Sequence, residues 1–128
     1  MPSLPTQRTL AYCRKRGWRV AVVEKWIPQT KRRIDLFGFG DLLALDGQPG
    51  SLLIQACAGG GAPAKRVAKI LDADHCEAAC DWLAAGNRLE VWGWRKAGPK
   101  GKRKLWQVRR VAIVLDGPFL ESREVEDG

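Results

Sequence analysis

Glu24, Asp41 and Gln55 are the side chains of this 128-residue chain best placed by type and spacing to do chemistry, and Cys57 follows two positions after the last of them. Side chains two apart on an extended strand share a face. Gln55 and Cys57 therefore point the same way and can meet Asp41 from a neighbouring strand and Glu24 from a third. Two carboxylates and an amide oxygen suit Mg²⁺, a hard cation that takes oxygen ligands and keeps several waters. Asp41 sits inside the apolar run from Asp35 to Leu45, where a charge is costly unless bound or paired. Gln55 sits in an apolar strand and must find hydrogen-bond partners there. The competing roles are structural: Asp41 as an edge or turn acid, and Glu24 as an ion-pair partner of Arg33. Asp35 is six residues from Asp41, about 20 Å away along an extended chain, and is expected to order the basic segment before it.

The elements that must position these residues follow from periodicity and turn chemistry. Thr6 is expected to N-cap a helix through Arg16, with Leu10 and Cys13 inward and Gly17 as its stop. Residues 18–26 alternate as a strand with Val20, Val22 and Glu24 on one face. A basic connector, 28–33, leads to a strand over 35–45 in which Phe37, Phe39, Asp41 and Leu43 share a face, with Gly38 and Gly40 permitting a bulge or close approach. The turn 46–50 closes a hairpin onto a buried strand over 52–58. Gly59-Gly60-Gly61 and Pro63 introduce a helix over 64–71, and a second over 76–85 stops at Gly86. Strands follow over 88–95, with Trp92 and Trp94 opposite Leu89 and Val91, and over 106–115. Those two indoles belong to a sheet face or could stack on unpaired bases. The acidic tail from Leu120 is expected to fray.

Gly40-Asp41 and Gln55-Ala56-Cys57, set in this order of elements, resemble the PD-(D/E)XK nuclease superfamily, in particular its small Holliday-junction-resolvase-like and phage-type members. Gly-Asp stands for Pro-Asp, Gln55 for the acidic residue and Cys57 for the lysine, and the match spans residues 6–110. The resemblance implies an α/β fold with a restriction-endonuclease-like αβββαβ core, a central mixed sheet flanked by helices and the site where the second and third strands diverge. It makes Asp41 the main ligand of Mg²⁺ or Mn²⁺, Glu24 a second carboxylate acting directly or through water, Gln55 a side-chain oxygen ligand and the Ala56 carbonyl a further oxygen. The family's lysine helps activate water or stabilise charge at the phosphate. A thiol is a weak donor and a thiolate would repel phosphate, so the catalytic cation is expected from Lys65 beyond the glycine turn, with Lys69 and Arg66 in reserve on the same helix. The implied activity is metal-dependent endonucleolytic cleavage of DNA, branched or structured DNA in particular. The alternative is a non-catalytic nucleic-acid-binding protein that keeps the fold.

Twenty-two basic against fourteen acidic residues give a formal charge of +8. Nine of the bases fall in the first 33 residues, and residues 96–110 carry seven with no acid. Such clustering favours a polyanionic partner through phosphate contacts and counterion release, although a solvated basic surface is the plainer reading. Arg32, Arg33, Lys69, Lys100, Lys102, Arg103 and Lys104 are the expected DNA contacts. The length suits one domain over residues 1–128, with a core over about 6–115 and an acidic tail after it. No apolar run approaches the ~18 residues of a membrane span, and residues 1–6 do not read as a secretory signal. The expectations are a cytoplasmic protein of a bacterial or phage-infected cell, DNA as partner, no membrane association and room for a homodimer. Cys13, Cys57, Cys76 and Cys80 are then reduced thiols. His75, Cys76 and Cys80 invite structural zinc, whereas Cys76, Ala79, Cys80 and Leu83 also form the apolar stripe of a core-facing helix.

Overall fold

The computed structural model describes residues 2–126. Helix α1 (Leu4–Lys15) starts one turn earlier than Thr6 would place it: Ser3 is the cap, its Oγ accepting from the Thr6 backbone N–H at 3.3 Å, while Thr6 is buried inside the helix. Pro5 in the first turn costs nothing, because those N–H groups have no helical partner. The chain then enters β1 (Arg19–Val22).

The single strand expected over 18–26 and the connector over 28–33 are instead β1 and a separate hairpin, β2 (Lys25–Ile27) with β3 (Arg32–Ile34). Pro28 has no N–H to continue a ladder, and Lys31 turns the chain with a φ of 53°. Strands β4 (Leu42–Leu45) and β5 (Leu52–Ala58) form the expected antiparallel hairpin, Leu42 opposite Ile54. Helices α2 (Ala62–Ile70) and α3 (Cys76–Ala84) carry the chain across to β6 (Arg88–Ala97), which lies parallel to β5. A parallel pair needs such a crossover. Strand β7 (Leu105–Asp116) returns antiparallel.

The tail does not fray. Residues Phe119–Val125 form β8, paired with β7 from Asp116 opposite Phe119 to Arg110 opposite Val125. Gly117, at a φ of 60°, makes the reversal, and Leu120 packs on the core, so an edge strand forms whatever the tail's charge. The result is an α/β protein with a mixed six-stranded sheet in the order β1-β4-β5-β6-β7-β8 and three helices. No described helix is long and apolar enough to cross a membrane.

Both faces of the sheet are covered, which is why β5 is buried from Leu52 to Cys57. On one face Cys13 of α1 packs with Leu42, Ile54, Trp92 and Trp94. On the other, Ile70 and Ala79 from the two later helices pack on Leu53, Cys57, Leu89 and Val91. Trp92 and Trp94 are therefore core residues and offer no face to a base; the Trp94 indole N–H donates to Thr9 Oγ1 at 2.9 Å. Beside them lies a buried ion pair, Arg110 Nε donating to Glu90 Oε1 at 2.7 Å, with the Trp92 indole N–H on the same oxygen at 2.9 Å. Removing one member leaves the other charged and buried. Arg110→Leu is expected to cost about 3–5 kcal/mol in urea unfolding, whereas cutting the exposed Arg109–Glu124 pair with Arg109→Ala is expected to cost less than about 1 kcal/mol.

Candidate functional site

Asp41 is held at the mouth of the β4–β5 hairpin by its own backbone. Its N–H donates to the Ile54 carbonyl at 2.9 Å, and its carbonyl accepts from Val23 N–H at 2.8 Å and Glu24 N–H at 3.3 Å. These bonds place the Asp41 side chain between β5 and the end of β1. Its Oδ2 accepts two further bonds, from Gln55 Nε2 at 2.8 Å and from the Ala56 backbone N–H at 2.9 Å. The N–H and C=O of one strand residue point to the same edge, so the Ala56 carbonyl faces the same side as Asp41.

Residues 35–45 do not form one strand. Leu36 and Gly40 bridge through two backbone hydrogen bonds, 2.8 and 2.9 Å, and Phe37 and Gly38 turn the chain between them with φ values of 55° and 84°. Two successive positive φ values are the signature of a tight two-residue reversal. The reversal brings Asp35 back onto Asp41 rather than 20 Å from it. One carboxylate oxygen each from Glu24, Asp35 and Asp41 lie within 4.8 Å of one another, and Asp35 hydrogen-bonds Asp41. Gly40 makes the close approach expected there, since a Cβ at that position would run into the Leu53 side chain.

The charge state follows from crowding. Burial raises the Asp41 carboxyl to about 8; the hydrogen bond and charge of Asp35 add to the rise, and the Ala56 N–H opposes it. Burial also raises Glu24, with Arg33 pulling it down and Asp35 pushing it up. Like charges so close cannot all ionise cheaply without a counter-charge. Gln55, 2 % exposed, has a buried Oε1 with no hydrogen-bond partner among the described residues, and such an orphan acceptor carries a desolvation cost.

A divalent cation fits this donor set. Ligands of one Mg²⁺ lie about 2.1 Å from it, hence within about 4.2 Å of each other, so three carboxylate oxygens already within 4.8 Å need move little. Glu24, Asp35 and Asp41 would hold the ion, with the Ala56 carbonyl on the same strand edge; the Gln55 amide presents its N–H to Asp41, so its Oε1 could ligate only after the amide turned over. Once bound, the ion would supply Lewis-acid chemistry and an acidified water.

Cys57 is buried in the helix-covered core; burial raises its thiol to about 11, with Asp41 adding to the rise and Arg66 opposing it. It is a neutral core residue. Lys65 is exposed on α2, whereas the next residue, Arg66, is half-buried and is the cation whose charge reaches Cys57. Lys69 lies half-buried one turn on. Arg32 and Arg33 are exposed on β3, and Lys100, Lys102, Arg103 and Lys104 are exposed in the β6–β7 loop. His75, Cys76 and Cys80 do not come together as a metal-holding group: the group of three that could hold a metal, among the described residues, is Glu24, Asp35 and Asp41. The His75 Nδ1 pairs with Asp72 Oδ1 at 2.7 Å at the start of α3.

Asp35 is the member that sequence reasoning placed elsewhere. The signal was present in Gly38 and Gly40, each of which can serve a reversal as well as a bulge. No family model, no curated protein and no solved structure matches the chain.

Proposed function

We propose that this protein is a Mg²⁺- or Mn²⁺-dependent endonuclease that hydrolyses phosphodiester bonds in DNA, with branched or structured DNA as its substrate. The observation that carries the reading is the gathering of three carboxylates, Glu24, Asp35 and Asp41, the last of them also held by the buried Gln55 amide. Such a site gains most from a cation, which offsets the mutual repulsion of the acids. The element order is also consistent with the αβββαβ core of the PD-(D/E)XK nucleases: apart from the β2–β3 hairpin, it runs α1, β1, β4, β5, two helices, β6. Cytoplasmic location and action on DNA belong to the same proposal, supported by the net charge of +8.

Calorimetric titration with Mn²⁺ and gel assay of duplex, flapped and four-way DNA test the reading together. Saturable uptake near one ion per chain with metal-dependent nicking supports it. Absence of both sinks it.

One observation favours the non-catalytic alternative: the position of the motif lysine holds a neutral buried thiol. Under the nuclease reading another cation does that work, and Arg66 is better placed for it than the exposed Lys65. Arg66→Ala is expected to lower the cleavage rate by roughly 100-fold, the usual size of losing one preorganised donor at a developing charge, and Lys65→Ala by much less. A larger loss in Lys65→Ala would return the role to that lysine. DNA binding with no cleavage under either metal would favour the binder.

A further inference from the structure

We propose that the pocket between Glu24, Trp26 and Arg33 receives one unpaired nucleotide of a DNA strand, with its base stacked on the Trp26 indole. Its place beside the carboxylates ties it to the nuclease reading, but its binding function does not depend on a metal.

The six tryptophans are not equivalent. Trp92 and Trp94 are buried in the core, and Trp106 is capped by the Arg8 guanidinium, 3.4 Å from the ring centre. Trp26 is 53 % exposed. Exposing a large indole forgoes the burial that usually stabilises it, so a role in recognition accounts for it better than packing does.

Trp26 on β2 stands directly opposite Arg33 on β3. Directly opposed residues share a face of the hairpin, so indole and guanidinium border the same space. That space is a cavity of about 400 Å³ lined by Pro2, Val22, Glu24, Trp26 and Arg33, within the ~300–1,000 Å³ of small-molecule sites. One wall is Glu24, a member of the carboxylate cluster.

The chemistry of the walls selects the occupant. An aromatic face and the apolar Val22 and Pro2 suit a flat ring. The Glu24 carboxylate repels a phosphate from its side of the pocket, whereas the exposed Arg33 attracts one. Lys25, Lys31 and Arg32 extend the basic charge along the exposed hairpin. A nucleotide with its base inside and its phosphate toward Arg33 satisfies all of these walls. The base must be unpaired, because in a duplex both of its faces are already stacked. A strand held there would place its adjoining phosphodiester beside Glu24, Asp35 and Asp41.

Fluorescence anisotropy without divalent metal tests this, using a labelled oligothymidine and a blunt duplex of equal length. Trp26→Ala is expected to weaken single-strand binding roughly 10- to 100-fold, as loss of one stacking platform does, and duplex binding by less than about twofold. Trp26→Phe should retain most of the affinity. The salt slope should be unchanged in Trp26→Ala but shallower by about one in Arg33→Ala, which loses a phosphate contact. An exposed side chain is not needed for folding, and unchanged thermal melting of Trp26→Ala would establish that. Equal losses for single strand and duplex, no loss for either, or a parent that binds no single strand would each overturn the proposal. Mn²⁺ calorimetry separates it from the metal site: a parent that takes up no Mn²⁺ but shows the Trp26 effect loses the nuclease reading and keeps the pocket.

Discussion

Asp41→Asn is expected to lower Mn²⁺ affinity by more than about 100-fold and to take DNA cleavage to background. Replacing groups that merely orient a metal's ligands costs about 10- to 100-fold, and Asp41 would itself be the central ligand. It is the residue that Asp35, Gln55 and the Ala56 N–H all contact. Asparagine keeps the shape and still accepts from the Ala56 N–H, so the loss would report charge and ligation rather than collapse. Calorimetry of the variant reads the affinity, and a supercoil-nicking or junction-cleavage gel reads the rate. Retained metal uptake in Asp41→Asn would move the ion elsewhere and overturn the assignment. Salt dependence of DNA binding should stay that of the parent, because the Lys and Arg side chains that would contact phosphates are untouched.

The same substitution is expected to act in the opposite direction on metal-free stability. Asp41 has a folded-state pKa of about 8, above its ordinary value of 3.8. Between those values the folded protein holds a proton that the unfolded chain has released. Stability is therefore fully present below about pH 4 and is lost as the pH rises through 8. The fall is expected to show as a stability loss of several kcal/mol between those pH values by urea titration in EDTA, and Glu24, also raised, adds in the same direction. Asp46, held low by Arg88, and Asp72, held low by His75, matter only at more acidic pH. Asp41→Asn should flatten the profile and be the more stable form at pH 8. Millimolar Mn²⁺ should restore the parent at pH 8 by mass action on the folded state and leave the variant unmoved. A parent profile that rises from pH 4 to 8 would show that Asp41 is ionised and paired in the folded protein, contrary to this reading. The site would thus be a place where stability is given up for function.

Local pattern determined much of the scaffold. An apolar run bounded by Gly50 and Gly59 could only be a strand covered on both faces, and β5 is buried from Leu52 to Cys57. Inside such a strand a lone Gln55 had to face a partner, and inside an apolar segment a lone Asp41 had to be bound or paired. Those demands follow from the cost of burying polar groups, which needs no knowledge of the tertiary structure. Alternation then put Gln55 and Cys57 on one face, the face on which Leu53 and Cys57 pack against α2 and α3.

What only the tertiary structure decided were the reversals and the exposures. Asp35 joins the site because the chain turns at Phe37 and Gly38, and a bulky Phe at positive φ is a choice that turn statistics do not anticipate. The acidic tail becomes β8 because β7 offers it an unpaired edge, a long-range opportunity that composition cannot show. Six indoles look alike in a sequence, yet the sheet buries Trp92 and Trp94 while the short β2–β3 hairpin leaves Trp26 in solvent. On α2, adjacent Lys65 and Arg66 differ by 100° of helical rotation, and that rotation, set by packing on β5 and β6, leaves the lysine exposed and turns the arginine's charge toward Cys57.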